Sequence, residues 1–134
     1  MSLNPYINFN GNCREAVDFY ADVFKTENPV IMTYGDAHNG ELREDVKDLV
    51  MHTYLNIHGL TVMFSDFSPE MDFVMGNNIS LTIVSKDMDE IRYLYERLRE
   101  GGRIDMELQE TFWSKLYGSV IDKFGVIWQF SHEE

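Results

Sequence analysis

The residues in this 134-residue sequence best suited to nucleophilic, acid–base or metal chemistry are four histidines, one cysteine and two aspartates at candidate strand ends. Their spacing narrows what they can do. His52 and His58 are six apart on one candidate strand, roughly 20 Å at about 3.3 Å per residue, too far to share an ion. A His52 that faces a binding surface can bond a ligand or act as acid or base near neutral pH; otherwise it is an ordinary polar strand residue. His38 falls in an acidic stretch and His132 at the tail, both positions that suit solvent exposure. Asp66 follows Ser65 where a strand ends, a place for a carboxylate that orients a ligand or takes its proton. The favoured reading is that it caps the turn beyond. Asp122, in Asp-Lys-Phe-Gly, builds a hairpin turn with Gly125 at positive φ. Cys13 has no partner for an internal disulfide. No nucleophile elbow, P-loop, zinc-type cysteine pair or glycine-rich strand-to-helix loop for a methyl donor occurs.

The elements that must position these groups come from a repeat. Gly59–Asp66 reads GLTVMFSD and Gly125–His132 reads GVIWQFSH. Each octet follows a stretch long enough for a strand that enters it through a tight glycine turn. Upstream, each half holds an extended segment and an amphipathic helix. In the first half Pro5–Asn10 reads as a strand. Asn12 stands three residues before Glu15 as a capping box, and Ala16, Phe19, Tyr20 and Val23 make the apolar stripe of a helix ending near Phe24. Asn28–Tyr34 reads as a strand and Gly35–Asp48 as a mobile surface loop. In the second half Ile79–Val84 reads as a strand, and Asp87 with Glu90 repeats the box. Ile91, Leu94, Tyr95 and Leu98 form the stripe, and Gly101-Gly102 stops the helix. Arg103–Leu108 is a further strand, Glu110–Lys115 a loop, and Tyr117–His132 the last hairpin. The prediction is a single domain over 1–134 with an internal repeat, 4–66 and 78–132, bridged by Asp66–Asn77.

Alternation then assigns faces. His52 and Tyr54 share one face of their strand, opposite Met51, Thr53, Leu55 and Ile57; Met63 and Ser65 lie opposite Val62 and Phe64. Trp128 shares a face with Val126 and Phe130, which suits core beneath a helix, while Gln129 and Ser131 face the other way. Trp113, in a loop, suits a pocket wall or a contact between two copies of the chain.

A net charge of −12 repels phosphate backbones and anionic lipid heads, so nucleic acid and membrane surfaces are not expected partners. With 44% apolar residues the chain can bury a core, and the absence of a signal peptide or a long apolar run predicts a cytoplasmic protein.

The helix segment AVDFYADVF and the end YGSVIDKFGVIWQF, with Val50-Met51-His52 opening a strand and Ser65-Asp66 closing its partner, resemble a known family. Trp113 four residues before Tyr117-Gly118, and Asp122-x-Phe124-Gly125-x-x-Trp128, add to the likeness. It is to the glyoxalase/bleomycin-resistance/dioxygenase group, the vicinal oxygen chelate superfamily, and within it to the PhnB-like branch, often labelled 3-demethylubiquinone-9 3-methyltransferase. The resemblance implies an α+β fold: two βαβββ modules forming a curved eight-stranded trough, helices on the convex side, ligands in the trough, and homodimers. It also implies four ligand positions in metal-using members, which fall here near Pro5, Met63, Asn78 and Gln129. Proline has no donor atom, thioether sulfur is soft, and neutral amides bring no charge to offset desolvation of a divalent ion. The expectation is therefore no metal and no cofactor. A small organic molecule is held in a pocket drawn from His52, Tyr54, Met63, Ser65, Asn78, Trp113 and Gln129. The alternatives are a metal-dependent lyase, isomerase or dioxygenase of the glyoxalase type, and a metal-free enzyme using His52 or Asp66.

Overall fold

A computed structural model, which describes residues 1–37 and 43–134, divides the chain into two compact units, Met1–Val74 and Met75–Glu134. In the first unit the elements run β1 (Tyr6–Phe9), α1 (Cys13–Phe24), β2 (Met32–Thr33), the single-turn helices α2 (Tyr34–Ala37) and α3 (Glu44–Lys47), β3 (Val50–Ile57) and β4 (Leu60–Asp66). Its sheet has the order β1-β4-β3-β2, with β1 parallel to β4 and β3 antiparallel to it. The second unit repeats the plan with β5 (Leu81–Ser85), α4 (Met88–Leu98), β6 (Arg103–Gln109), β7 (Tyr117–Ile121) and β8 (Ile127–His132), in the order β5-β8-β7-β6. This is the predicted α+β class, as two four-stranded sheets.

Period-2 patterning decides which face of each sheet is covered. Phe9, Leu55, Val62 and Phe64 turn toward α1, whose Val17, Tyr20 and Val23 are buried with them. The Phe64 ring stacks on Tyr20 at 5.8 Å and on Phe9 at 6.3 Å. In the second unit Ile83, Val120, Trp128 and Phe130 are buried with Ile91, Leu94, Tyr95 and Leu98 of α4, and Tyr95 meets Phe130 edge-on at 5.5 Å. Trp128, 2% exposed, is therefore core under a helix, as its alternation predicts. The β3–β4 hairpin turns on His58 (φ 51°) and Gly59 (φ 81°), two left-handed residues in a row, the signature of a type I′ turn.

Three local expectations change. The Asn12 side chain makes no cap hydrogen bond; the backbone N–H groups of Gly11 and Cys13 donate instead to Asp66 Oδ1, at 3.0 and 2.9 Å. The stretch expected to be a mobile loop contains α2 and α3. Thr33 and Asp36 form a reciprocal pair there, Thr33 N–H to Asp36 Oδ2 at 3.1 Å and Asp36 N–H to Thr33 Oγ1 at 3.0 Å, too short a motif to leave a periodicity. His38 lies outside the described residues. Finally β2 is two residues long rather than spanning Asn28–Tyr34.

The second cap is made by Asp87 as read, while the Asp87 N–H donates to Ser85 Oγ at 3.0 Å. Asp87 Oδ1 accepts the N–H groups of Asp89 at 2.9 Å and Glu90 at 3.2 Å. Asp87→Ala is expected to lower stability by about 1 kcal/mol, measured as a shift in the denaturant midpoint at unchanged slope.

Candidate functional site

Each sheet turns its second face away from its helix, and the predicted site residues lie mainly there. In the first unit, cross-strand register aligns Tyr6 of β1, Met63 of β4 and Tyr54 of β3 in one row, with Asn8 beside Ser65 in the next. His52 lies two residues before Tyr54 on β3 and so shares its face. The Tyr6 hydroxyl meets His52 Nδ1 at 2.9 Å, with the rings 5.6 Å apart. Since β4 lies between β1 and β3, this pair bridges over it. Ser65, although on the open face, is only 7% exposed and donates its hydroxyl to Asn8 Oδ1 at 2.6 Å. Tyr54 remains 49% exposed.

Asp66 has a different task from the one that would make it a general base. Its carboxylate, 2% exposed, accepts Gly11 and Cys13 N–H on Oδ1 and Val50 N–H at 3.0 Å on Oδ2. It thereby ties the β1–α1 turn and the start of β3 to the end of β4. Its backbone carbonyl accepts the Tyr34 hydroxyl at 2.9 Å, and burial, with the Asp66 charge next, raises the Tyr34 phenol above its ordinary value. Burial, and then the same carboxylate, push the Cys13 thiol far up as well, so the lone cysteine is no nucleophile.

In the second unit Gln129 of β8 pairs with Thr82 on one side and Ser119 on the other, with Tyr117 two residues before Ser119 on the same face. Both ends of the Gln129 amide are taken: Tyr117 donates its hydroxyl to Oε1, and Nε2 donates to Ser80 Oγ at 2.8 Å. Ser119 donates to Asp105 Oδ2 at 2.8 Å. Asn78, predicted for this group, is not part of it. It sits exposed in a bend before β5 begins at Leu81. Seven residues back from Asn12 is Pro5, whose carbonyl accepts Met63 N–H at 2.9 Å; the same count from Asp87 gives Ser80.

Trp113 belongs to a turn, Thr111–Ser114, beyond β6. Its ring stands edge-on to Tyr117 at 5.3 Å and to Phe112 at 4.8 Å. With Phe112, Val84, Ser131 and the charged Glu110, Lys115, Glu133 and Glu134 it lines an open hollow of about 780 Å³. Sequence reasoning gave Trp113 to a pocket wall or a contact between copies and missed Phe112 beside it, because loop composition carries no period from which to read direction.

Among the described residues no group of three His, Cys, Asp or Glu side chains is placed to hold a metal ion. The residues at which the resemblance implied metal ligands are Pro5, Met63, Asn78 and Gln129. Their donors are absent, soft or neutral, and each end of the Gln129 amide already has a neighbouring partner. This set does not fit a divalent ion.

The family model described as 3-demethylubiquinone-9 3-methyltransferase matches residues 1–131. Protein YjdN of Escherichia coli (strain K12) is 31% identical over 137 residues, covering 96% of this chain and 92% of that protein. Among solved structures, PA1353 from Pseudomonas aeruginosa is similar at 31% identity and a TM-score of 0.88, over 99% of this chain and 98% of that one. A PhnB protein from Bacillus cereus follows at 26% identity and 0.78, over 99% and 100%. In fold alone the chain is also similar to a glyoxalase-related enzyme from Fulvimarina pelagi, at 18% identity and 0.65 over 99% and 89%.

Proposed function

Since the chain belongs to the 3-demethylubiquinone-9 3-methyltransferase family, the PhnB-like branch of the vicinal oxygen chelate superfamily, we propose that it binds a small organic molecule without a metal ion. The observation that carries this reading is the chemistry of the open sheet faces. Phenol, imidazole, amide, hydroxyl and thioether groups stand there, and the Tyr117–Gln129–Ser80 chain fills with neutral hydrogen bonds a place where an ion would need charge. Such a surface recognises shape and hydrogen-bonding pattern and supplies no Lewis acid. Exposed Tyr54 and Trp113 add flat apolar area at little conformational cost.

Methyl transfer is not part of the proposal. The turns from β1 into α1 and from β5 into α4 read Asn10-Gly11-Asn12 and Lys86-Asp87, neither of them the glycine-rich cradle that a nucleotide-like methyl donor uses. The protein is read as a homodimer acting in the cytoplasm. A buried, unpaired cysteine suits a reducing compartment, and no helix among the described residues is long and apolar enough to cross a membrane.

The test is metal analysis of untagged protein, paired with native mass spectrometry before and after dialysis against a chelator. The expected outcome is substoichiometric metal and a bound-ligand mass that survives chelation. Stoichiometric zinc, nickel, manganese or iron, or ligand lost with the metal, overturns the reading.

A further inference from the structure

The hollow beside Trp113 combines two features, exposed aromatic rings and a surplus of carboxylates. The first is a pair of large aromatic rings left in water: Phe112 is 97% exposed and Trp113 55%. They are displayed by a turn that is firmly held. Thr111 N–H donates to the Ser114 carbonyl at 2.8 Å, and Ser114 N–H to Thr111 Oγ1 at 3.1 Å. The Ser114 hydroxyl, itself buried, reaches the carbonyls of Leu116 and His132, each at 3.0 Å. A turn pinned in this way keeps the rings in place instead of letting them fold back onto the surface, where they would bury apolar area.

The second feature is charge. Three carboxylates, Glu110, Glu133 and Glu134, line the hollow against one cation, Lys115, whose ammonium is already 2.5 Å from Glu134. The local balance is three negative charges to one positive, in a chain whose net charge is −12. This sign disfavours a second acidic copy of the chain and any anionic ligand, and it favours a cation. Aromatic faces beside carboxylates suit an organic cation better than a bare metal ion. A ring quadrupole attracts a weakly hydrated ammonium, while the apolar substituents on its nitrogen cover the ring.

We propose that the hollow lined by Phe112, Trp113, Glu110, Glu133 and Glu134 is a binding site for an organic ammonium group. This inference rests on the small-molecule reading above and names the chemical class that this part of the protein takes. Its volume, about 780 Å³, is of the size that holds small organic ligands.

Choline and its neutral carbon isostere, 3,3-dimethylbutan-1-ol, separate charge from shape. Titration is followed by tryptophan fluorescence and by calorimetry. Trp128 is 2% exposed, so a change in emission on binding reports Trp113. The expected result is that choline binds about tenfold more tightly than the isostere and weakens with added salt. That preference should be lost in Trp113→Leu and in the double variant Glu110→Gln/Glu133→Gln. If Trp113→Leu fails to fold, as judged by circular dichroism, the double variant, which changes only exposed side chains, carries the comparison. Equal or better binding of the neutral isostere, no binding of choline, or choline binding unchanged in the double variant overturns the inference. None of these results touches the metal-free reading, which falls only on the metal analysis described for it.

Discussion

Replacing Asp66 with alanine is expected to remove about 3–5 kcal/mol of folding stability, a large share of the roughly 5–15 kcal/mol that a domain has. The Asp66 carboxylate is the acceptor for three backbone N–H groups, from Gly11, Cys13 and Val50, and it is 2% exposed. Alanine leaves those donors without a partner at the junction of β1, α1, β3 and β4, each at a cost of about 1–3 kcal/mol where water cannot enter. Asp66→Asn keeps one carbonyl oxygen and is expected to lose about half as much, since its amide then faces a donor. Denaturant unfolding of the three proteins, with slopes compared, gives the measurement. A loss under 1 kcal/mol for Asp66→Ala would mean that the brace is dispensable and would return this carboxylate to the catalytic candidates. The test therefore separates a structural aspartate from a functional one without needing a substrate.

The same residue explains what the sequence made legible and what it did not. The covered and open faces of β3 and β4 could be read directly, because Leu55, Val62 and Phe64 fall on one face and a shift of one residue would bury His52 and expose Leu55. The doubled unit was legible for the same reason, since Phe64 and Phe130 each pack under a helix at the same place in their octets. By contrast, α1 starts after Asn12 as read, but the bond expected from the Asn12 side chain is not made. Asn12 has the right type and spacing for a cap, yet the acceptor comes from Asp66, more than fifty residues away, and no local pattern announces it. The α4 start was read correctly because its cap, Asp87, is local.

The site shows the same division. His52, Tyr54 and Met63 follow from strand alternation and share a face. Ser65 shares it too, but the Tyr6–His52 hydrogen bond across β4 accompanies its burial, a tertiary contact invisible to a period of two. Ser80, not Asn78, meets Gln129, although the caps and the helix stripes of the two halves both align Pro5 with Ser80; Asn78 was a miscount within Met75–Ser80, which adopts no strand. Phe112 could be seen as apolar but not as exposed, since the hydrogen bonds that turn it outward converge on Ser114 from both ends of the last hairpin.

Asp122 and Trp128 provide the second large effect, and here the expected loss carries a spectroscopic signature. Asp122 Oδ1 accepts the N–H groups of Phe124 at 2.9 Å and Val126 at 3.0 Å, while Oδ2 accepts the Trp128 indole N–H at 2.9 Å. One carboxylate, 3% exposed, thus shapes the β7–β8 turn and holds the largest ring of the second unit's core. Asp122→Ala is expected to cost about 3–5 kcal/mol by leaving these donors buried without that acceptor. Trp128→Phe, which removes the indole N–H and part of the ring, is expected to cost about 2–3 kcal/mol through lost packing and an acceptor left short. Because both variants break the same contact, their effects should not add, and the double variant is expected to be about 1–2 kcal/mol more stable than the sum predicts. In Asp122→Ala the emission of the buried indole should move to longer wavelength as the turn loosens and water reaches the ring. Additive losses, or an unchanged emission in a destabilised Asp122→Ala protein, would show that the turn and the core are held independently. That would remove the argument that Asp122, like Asp66, spends its charge on backbone amides and a core ring, leaving the neutral groups of the open faces to meet a ligand.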